Sequence, residues 1–136
     1  MRFVDTNVLL YAISRDRQER DKTERANAIL AERDLALSVQ VLQEFYVQST
    51  RDSRRDRLTH AQGMRLVESF LRFPVLAITP AIMLSATATS DRYRISYWDA
   101  AILEAGRALG CDVVLSEDLT DGEDYGGVRV ENPFRA

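Results

Sequence analysis

The stretch Arg2-Phe3-Val4-Asp5-Thr6-Asn7-Val8-Leu9-Leu10 constrains the fold more than any other. A short apolar run opens the chain, and an acid stands directly at its end. Apolar residues resume at Val8, as expected where a buried strand turns into a helix. Asp5 then sits at the carboxyl end of a strand, the edge of an open α/β sheet at which ligands bind. The same residue would also serve as an ordinary helix cap, since Asp and Asn accept backbone N–H bonds well. Three later acids in similar settings weigh against capping alone.

The rest of the chain alternates in the same manner. Ser14 to Lys22 is polar and reads as a surface loop, and Ala26, Ile29 and Leu30 predict a helix from about Lys22 to Arg33. Leu35 to Ser38 reads as a strand, with Ser38 capping a helix that carries Val41, Leu42 and Phe45. Glu44 lies at the margin of that apolar stripe, where a solvated glutamate would also sit. Met64, Val67 and Leu71 mark a further helix, Val75 to Thr79 a strand, and Thr79-Pro80 the start of a helix reaching about Tyr93. Trp98, Ala101, Ile102, Ala105 and Leu109 keep helical spacing up to Gly110, which puts Asp99 in the first turn. There the helix dipole alone would favour an acid, and Ser96 with Asp99 imitates a capping box. Val113 to Leu115 is a second buried strand followed at once by acids, Glu117, Asp118 and Asp121, which a simple turn through Gly122 would also explain. Val128 to Val130 adds a last strand, ended by Asn132-Pro133.

Strands alternating with helices imply a mostly parallel sheet with right-handed crossovers and helices on both faces, an α/β domain spanning residues 1–136. With 136 residues and 46 % hydrophobic content, one core suffices. Asp5 and Asp118 fall on one edge, and Glu44 comes near it because its helix starts there. Asp99 reaches that edge only if one of the two helices between Val75 to Thr79 and Val113 lies across it.

Several function classes are excluded or weakened. The apolar runs are too short to cross a bilayer and the N-terminus does not resemble a signal peptide, so a soluble cytoplasmic protein with no membrane partner is expected. Cys111, the single cysteine, cannot form an intrachain disulfide and reads as a small buried hydrophobe. His60 is the single histidine, which excludes a two-histidine ribonuclease mechanism. A net charge of −3 argues against a polyanion binder, unless gathered carboxylates hold divalent cations and leave the remaining surface near neutral. The densest basic segment, Arg51 to His60 with Arg51, Arg54, Arg55 and Arg57, reads as a solvated linker, with phosphate tracking as its functional alternative.

Four segments together resemble the acidic motifs of PIN-domain nucleases, in particular VapC-like toxins of type II toxin–antitoxin pairs: Phe3 to Ala12, Val41 to Phe45, Tyr97 to Ile102, and Ser116 to Leu119. The order and spacing of four motifs is far more specific than any one of them. The resemblance implies that Asp5, Glu44, Asp99 and Asp118 are catalytic and bind metal. Thr6 and Ser116 would be polar neighbours of the site and Asn7 a hydrogen-bonder near it, while Glu117 and Asp121 are extra acids without an assigned part, Asp121 being placed to replace or supplement Asp118. Ser116 stands where the family often has threonine, a departure that keeps the hydroxyl. Hard oxygen ligands suit Mg²⁺ or Mn²⁺, and such an ion would acidify water for in-line attack on phosphorus without any histidine. The implied partners are an RNA substrate, a cognate antitoxin and a second copy in a homodimer. Two rivals stay open: a catalytically inactive PIN-like binding module, and an aspartate-dependent phosphotransferase. Asn7 stands where the latter would need a second Asp, and Lys22 is the single lysine available to steady a phosphate.

Overall fold

The computed structural model describes residues 1–135 and builds a six-stranded sheet in the order β3-β2-β1-β4-β6-β5. Its strands are β1 (Arg2–Val4), β2 (Leu35–Ser38), β3 (Val75–Leu76), β4 (Val113–Leu115), β5 (Asp124–Tyr125) and β6 (Val128–Glu131). All pairings are parallel except β5 with β6. The helices are α1 (Thr6–Ala12), α2 (Arg20–Leu30), α3 (Val39–Thr50), α4 (His60–Phe70), α5 (Pro80–Tyr93) and α6 (Tyr97–Ala108), with a 3-10 turn at Arg17–Glu19. This is the expected single α/β domain with helices on both faces. No helix among the described residues is long and apolar enough to cross a membrane.

Burial of the central strands drives the arrangement. Phe3, Val4, Leu35, Leu37, Val114 and Leu115 are buried together with Val8, Leu9, Ile29, Val41, Phe45 and Leu103 from the helices above and below. Both faces of β1 are covered beyond Arg2, so Phe3 and Val4 are both apolar and buried, as in parallel strands. Gly106 lets α6 approach closely: a Cβ there would lie 3.2 Å from Val114 Cγ2 and 3.3 Å from Phe3 Cβ. Cys111 is buried, as a small hydrophobe would be.

Register decides what meets at the strand ends. Val4 pairs with Leu115, so the next residues, Asp5 and Ser116, lie side by side, and Asp5 N–H donates to the Leu115 carbonyl at 3.0 Å. Ser38 ends β2 on the same edge and caps α3, accepting from Val41 N–H.

Four expectations need correction, and a fifth, the last strand, is met with an added partner. The expected loop from Ser14 to Lys22 contains the 3-10 turn and the first residues of α2, because Asp16 accepts from Gln18 N–H and starts the chain turning early. The helix marked by Leu71 ends at Phe70, leaving Leu71 as an exposed cap residue while Gly63 and Phe70 take the buried positions. The strand expected over Val75 to Thr79 keeps only Val75–Leu76, since Thr79 is already the cap of α5 and has turned away from the sheet. Trp98 is 65 % exposed despite its helical spacing with Ala101 and Ala105, because Ala100, Ala101, Ile102 and Leu103 fill the buried surface of α6. The last strand is half of a hairpin, with Gly126 and Gly127 (φ 64° and 97°) making the tight turn from β5 to β6.

Candidate metal and nuclease site

Asp5 caps α1, its carboxylate accepting from the Thr6 N–H at 2.7 Å. The other oxygen accepts from the Ser116 hydroxyl at 2.7 Å, and Ser116 Oγ in turn accepts from Asp118 N–H at 3.1 Å. Asn7 knits the two strand ends together: its Nδ2 lies 3.4 Å from Asp5 Oδ2 and 3.2 Å from Asp118 Oδ2, and its Oδ1 accepts from Glu117 N–H at 3.2 Å. Capping is therefore only part of what surrounds Asp5. Asp5 is 4 % exposed. Burial pushes its carboxyl up to about 7, against the pull of the Ser116 and Thr6 hydrogen bonds and with a further push from the charges of Asp118 and Glu44.

The other half of the edge comes from α3 and α6. Glu44, half-buried, accepts from Gln40 Nε2 at 2.7 Å and from the Thr6 hydroxyl at 3.1 Å. Gln40 Nε2 also lies 3.4 Å from the Trp98 carbonyl, which ties the start of α3 to the first turn of α6. That contact, with α5 packed on α6, brings Asp99 to the edge although two helices separate β3 from β4. Asp99 N–H donates to its cap Ser96 at 3.0 Å, and the Asp99 carboxyl is raised by partial burial, against the Ser96 hydrogen bond, with a smaller push from the charge of Asp118.

The remaining acids point elsewhere. Asp121 accepts from Asn132 N–H at 2.8 Å and from Arg135 at 3.0 Å, so its carboxylate braces the end of β6 and does not supplement Asp118 as placed. Glu117 meets Lys22 Nζ at 2.8 Å and the Tyr11 hydroxyl at 2.6 Å. Gln40, Lys22 and Tyr11 were not among the expected site residues. Gln40 sits one turn before Glu44, a spacing at which helix side chains meet, and that signal was available.

Four carboxylates of hard oxygen donors gather at one edge with no cation paired to them among the described residues, and burial together with the charges of Asp118 and Glu44 raises the Asp5 carboxyl. That chemistry fits Mg²⁺ or Mn²⁺, which take oxygen ligands and relieve such repulsion. As placed, the acids do not close on a common point: no group of three or more described His, Cys, Asp or Glu side chains could hold an ion. Hydrogen bonds from Ser116, Thr6 and Gln40 occupy the oxygens that would have to turn toward it.

A sequence profile of the PIN domain matches residues 2–120. A search among curated proteins returns no match. Solved structures with the same fold include a toxin–antitoxin complex from Klebsiella pneumoniae, at TM-score 0.68 and 20 % identity over all of both chains. The VapC20 toxin of Mycobacterium tuberculosis, which cleaves the sarcin–ricin loop, aligns at TM-score 0.66 and 17 % identity over 87 % of this chain and 92 % of that one. A DNA-bound VapBC complex from Salmonella typhimurium aligns at TM-score 0.63 and 20 % identity over 97 % of both.

Proposed function

The chain belongs to the PIN-domain family, and on that premise we propose that it is a metal-dependent endoribonuclease, the toxin of a type II toxin–antitoxin pair. The observation that carries this reading is the gathering of Asp5, Glu44, Asp99 and Asp118 at one sheet edge, linked by Asn7, Ser116, Thr6 and Gln40.

Asp5, Glu44, Asp99 and Asp118 would hold Mg²⁺ or Mn²⁺. A bound ion of this kind lowers the pKa of water and offsets the charge that grows on phosphate during in-line displacement. The chain's own side chains orient the acids. Ser116 donates to Asp5 and favours its charged form, Asn7 fixes the separation of Asp5 and Asp118, and Thr6 with Gln40 steadies Glu44. No histidine is available at this edge for proton transfer, since His60 pairs with Tyr46.

Two surfaces support the proposed protein partners. An apolar groove of about 300 Å³ between α3 and α4, lined by Val39, Leu42, Tyr46, Val47, Met64 and Val67, suits an amphipathic segment of an antitoxin. Exposed Met83 and Leu84 on α5 offer a patch for a second copy.

The test is incubation of the purified protein with RNA and Mg²⁺ or Mn²⁺, followed by analysis of fragment ends. Fragments with 5′-phosphate and 3′-OH ends, absent in EDTA, are expected. Cyclic 2′,3′-phosphate ends or undiminished cleavage in EDTA would sink the mechanism. Wild type is expected to inhibit growth, and Asp99→Asn to lose that inhibition while still co-purifying with the product of the adjacent upstream gene. A wild type that neither inhibits growth nor binds that product removes the toxin reading.

A further inference from the structure

Trp98 is the single tryptophan of the chain, and it stands 65 % exposed on the first turn of α6, directly before Asp99. Its surroundings are ordered: Tyr97 packs edge-on against it at 4.9 Å between ring centroids, and its carbonyl is held by Gln40, which also holds Glu44. The indole borders a pocket with Ile78, Ile82 and Ala101 of only about 60 Å³, well below the roughly 300 Å³ of small-molecule pockets. A flat ring can therefore lie on Trp98 but not enter beside it.

The site's electrostatics give that surface a use. Four acids repel a phosphodiester chain, and the single lysine, Lys22, is taken by Glu117. A strand of nucleic acid can be retained near the acids by face-to-face contact between its bases and an aromatic ring, a term that does not depend on charge. Resting on the nuclease reading above, we infer that Trp98 is a stacking platform for a nucleobase of single-stranded RNA, one that positions the adjoining phosphodiester beside Asp99. Trp98 and Asp99 are successive residues in the first turn of α6, so both belong to the same end of that helix.

Because Trp98 is the sole tryptophan, its fluorescence reports this contact directly. Wild type is titrated in EDTA, where no cleavage occurs, with a uridine dodecamer and with an abasic ribose-phosphate dodecamer. The base-bearing strand is expected to quench Trp98 saturably, and the abasic strand to leave it unchanged. With a fluorescein-labelled uridine dodecamer read by anisotropy, Trp98→Ala is expected to weaken binding roughly five- to hundredfold, and Trp98→Phe to stay within about threefold of wild type. Equal response to both strands, absence of any response, or equal binding by wild type and Trp98→Ala overturns the inference. So does a blue shift that grows with protein concentration without RNA, which would mean that a second copy covers the indole. Cleavage with metal alongside any of those results leaves the nuclease reading intact, and quenching without cleavage removes that reading while the platform stands.

Discussion

Glu117 turns toward α1 and α2, where Lys22 Nζ and the Tyr11 hydroxyl reach its carboxylate at 2.8 and 2.6 Å, whereas the carboxylate of Asp118, the next residue, accepts from the Asn7 side-chain amide, and its N–H donates to Ser116 Oγ, which in turn donates to Asp5. The Lys22 and Tyr11 hydrogen bonds hold Glu117 below the usual carboxylate range despite some burial, while burial and like charges push Asp5 up to about 7. Among the described residues none of Asp5, Glu44, Asp99 and Asp118 takes part in a salt bridge, although Asp121 and Glu117 beside them both do. A carboxylate that braces the fold is given its counter-ion by the chain. One that is buried or half-buried among other acids is left without a counter-ion, which on the proposed reading a divalent cation would supply.

The largest effect that separates the two regions is on catalysis. Asp118→Asn is expected to lower RNA cleavage by at least about a hundredfold, since even residues that only support metal ligands cost 10–100-fold on mutation. Glu117→Gln is expected to stay within a few-fold of wild type. Equal losses in both variants would erase the distinction between site and brace.

Metal binding to the folded state sharpens the same contrast thermodynamically. At 100 times its dissociation constant, Mg²⁺ or Mn²⁺ adds about 2.7 kcal/mol, on the order of 8 °C in Tm for a chain of this size. Asp99→Asn and Asp5→Asn are expected to remove most of that rise, and Glu117→Gln to keep it. Because the acids do not close on a common point as placed, the rise also requires their carboxylates to draw together. An equal rise in wild type and in all three variants would show that the ion binds elsewhere.

The two regions titrate in opposite senses. Asp5 holds its proton more tightly folded (about 7) than at its ordinary 3.8, so the folded state binds the extra proton between those values. In EDTA, stability is therefore expected to fall as pH rises from about 4 to about 7, by on the order of 1–3 kcal/mol. Glu117 is lowered, so its contribution is complete above its ordinary 4.5 and is lost as pH falls through its folded value. Urea midpoints at pH 5 and 7.5 check the first statement, and Asp5→Asn is expected to flatten the difference. An unchanged slope in that variant would assign the titration to another group.

How far this contrast could be read from the sequence depends on its range. Asp5, the Ser38 cap, Thr79-Pro80 and the Ser116 to Asp118 turn are local signals, and each appears in the structure at its expected place. Asp99 needed tertiary information, because its arrival at the edge depends on α6 packing through Gly106 and on the Gln40 contact to Trp98. Trp98 and Leu71 misled because helical spacing names a stripe without saying where its margin lies. The pairing of Lys22 with Glu117 spans 95 residues, and nothing local to either announces it.

The smallest expected effect tests that pairing from its other side. Lys22 is raised to about 12, mainly by its hydrogen bonds to Glu117 and Tyr11, yet its side chain is 39 % exposed, so water screens much of the attraction. Exposed ion pairs contribute about 0–1 kcal/mol, and Lys22→Gln is accordingly expected to shift Tm by no more than roughly 3 °C. It would leave the Tyr11 hydroxyl as the remaining side-chain donor to Glu117 and bring the pKa of that acid back toward its ordinary 4.5. Cleavage is expected to change by less than about threefold, because Lys22 meets none of the four converging acids and reaches the region only through Glu117. A loss comparable to that of Asp118→Asn, at unchanged stability, would place Lys22 in the machinery itself, where a cation next to the acids would act on the phosphate and Glu117 would merely hold it ready.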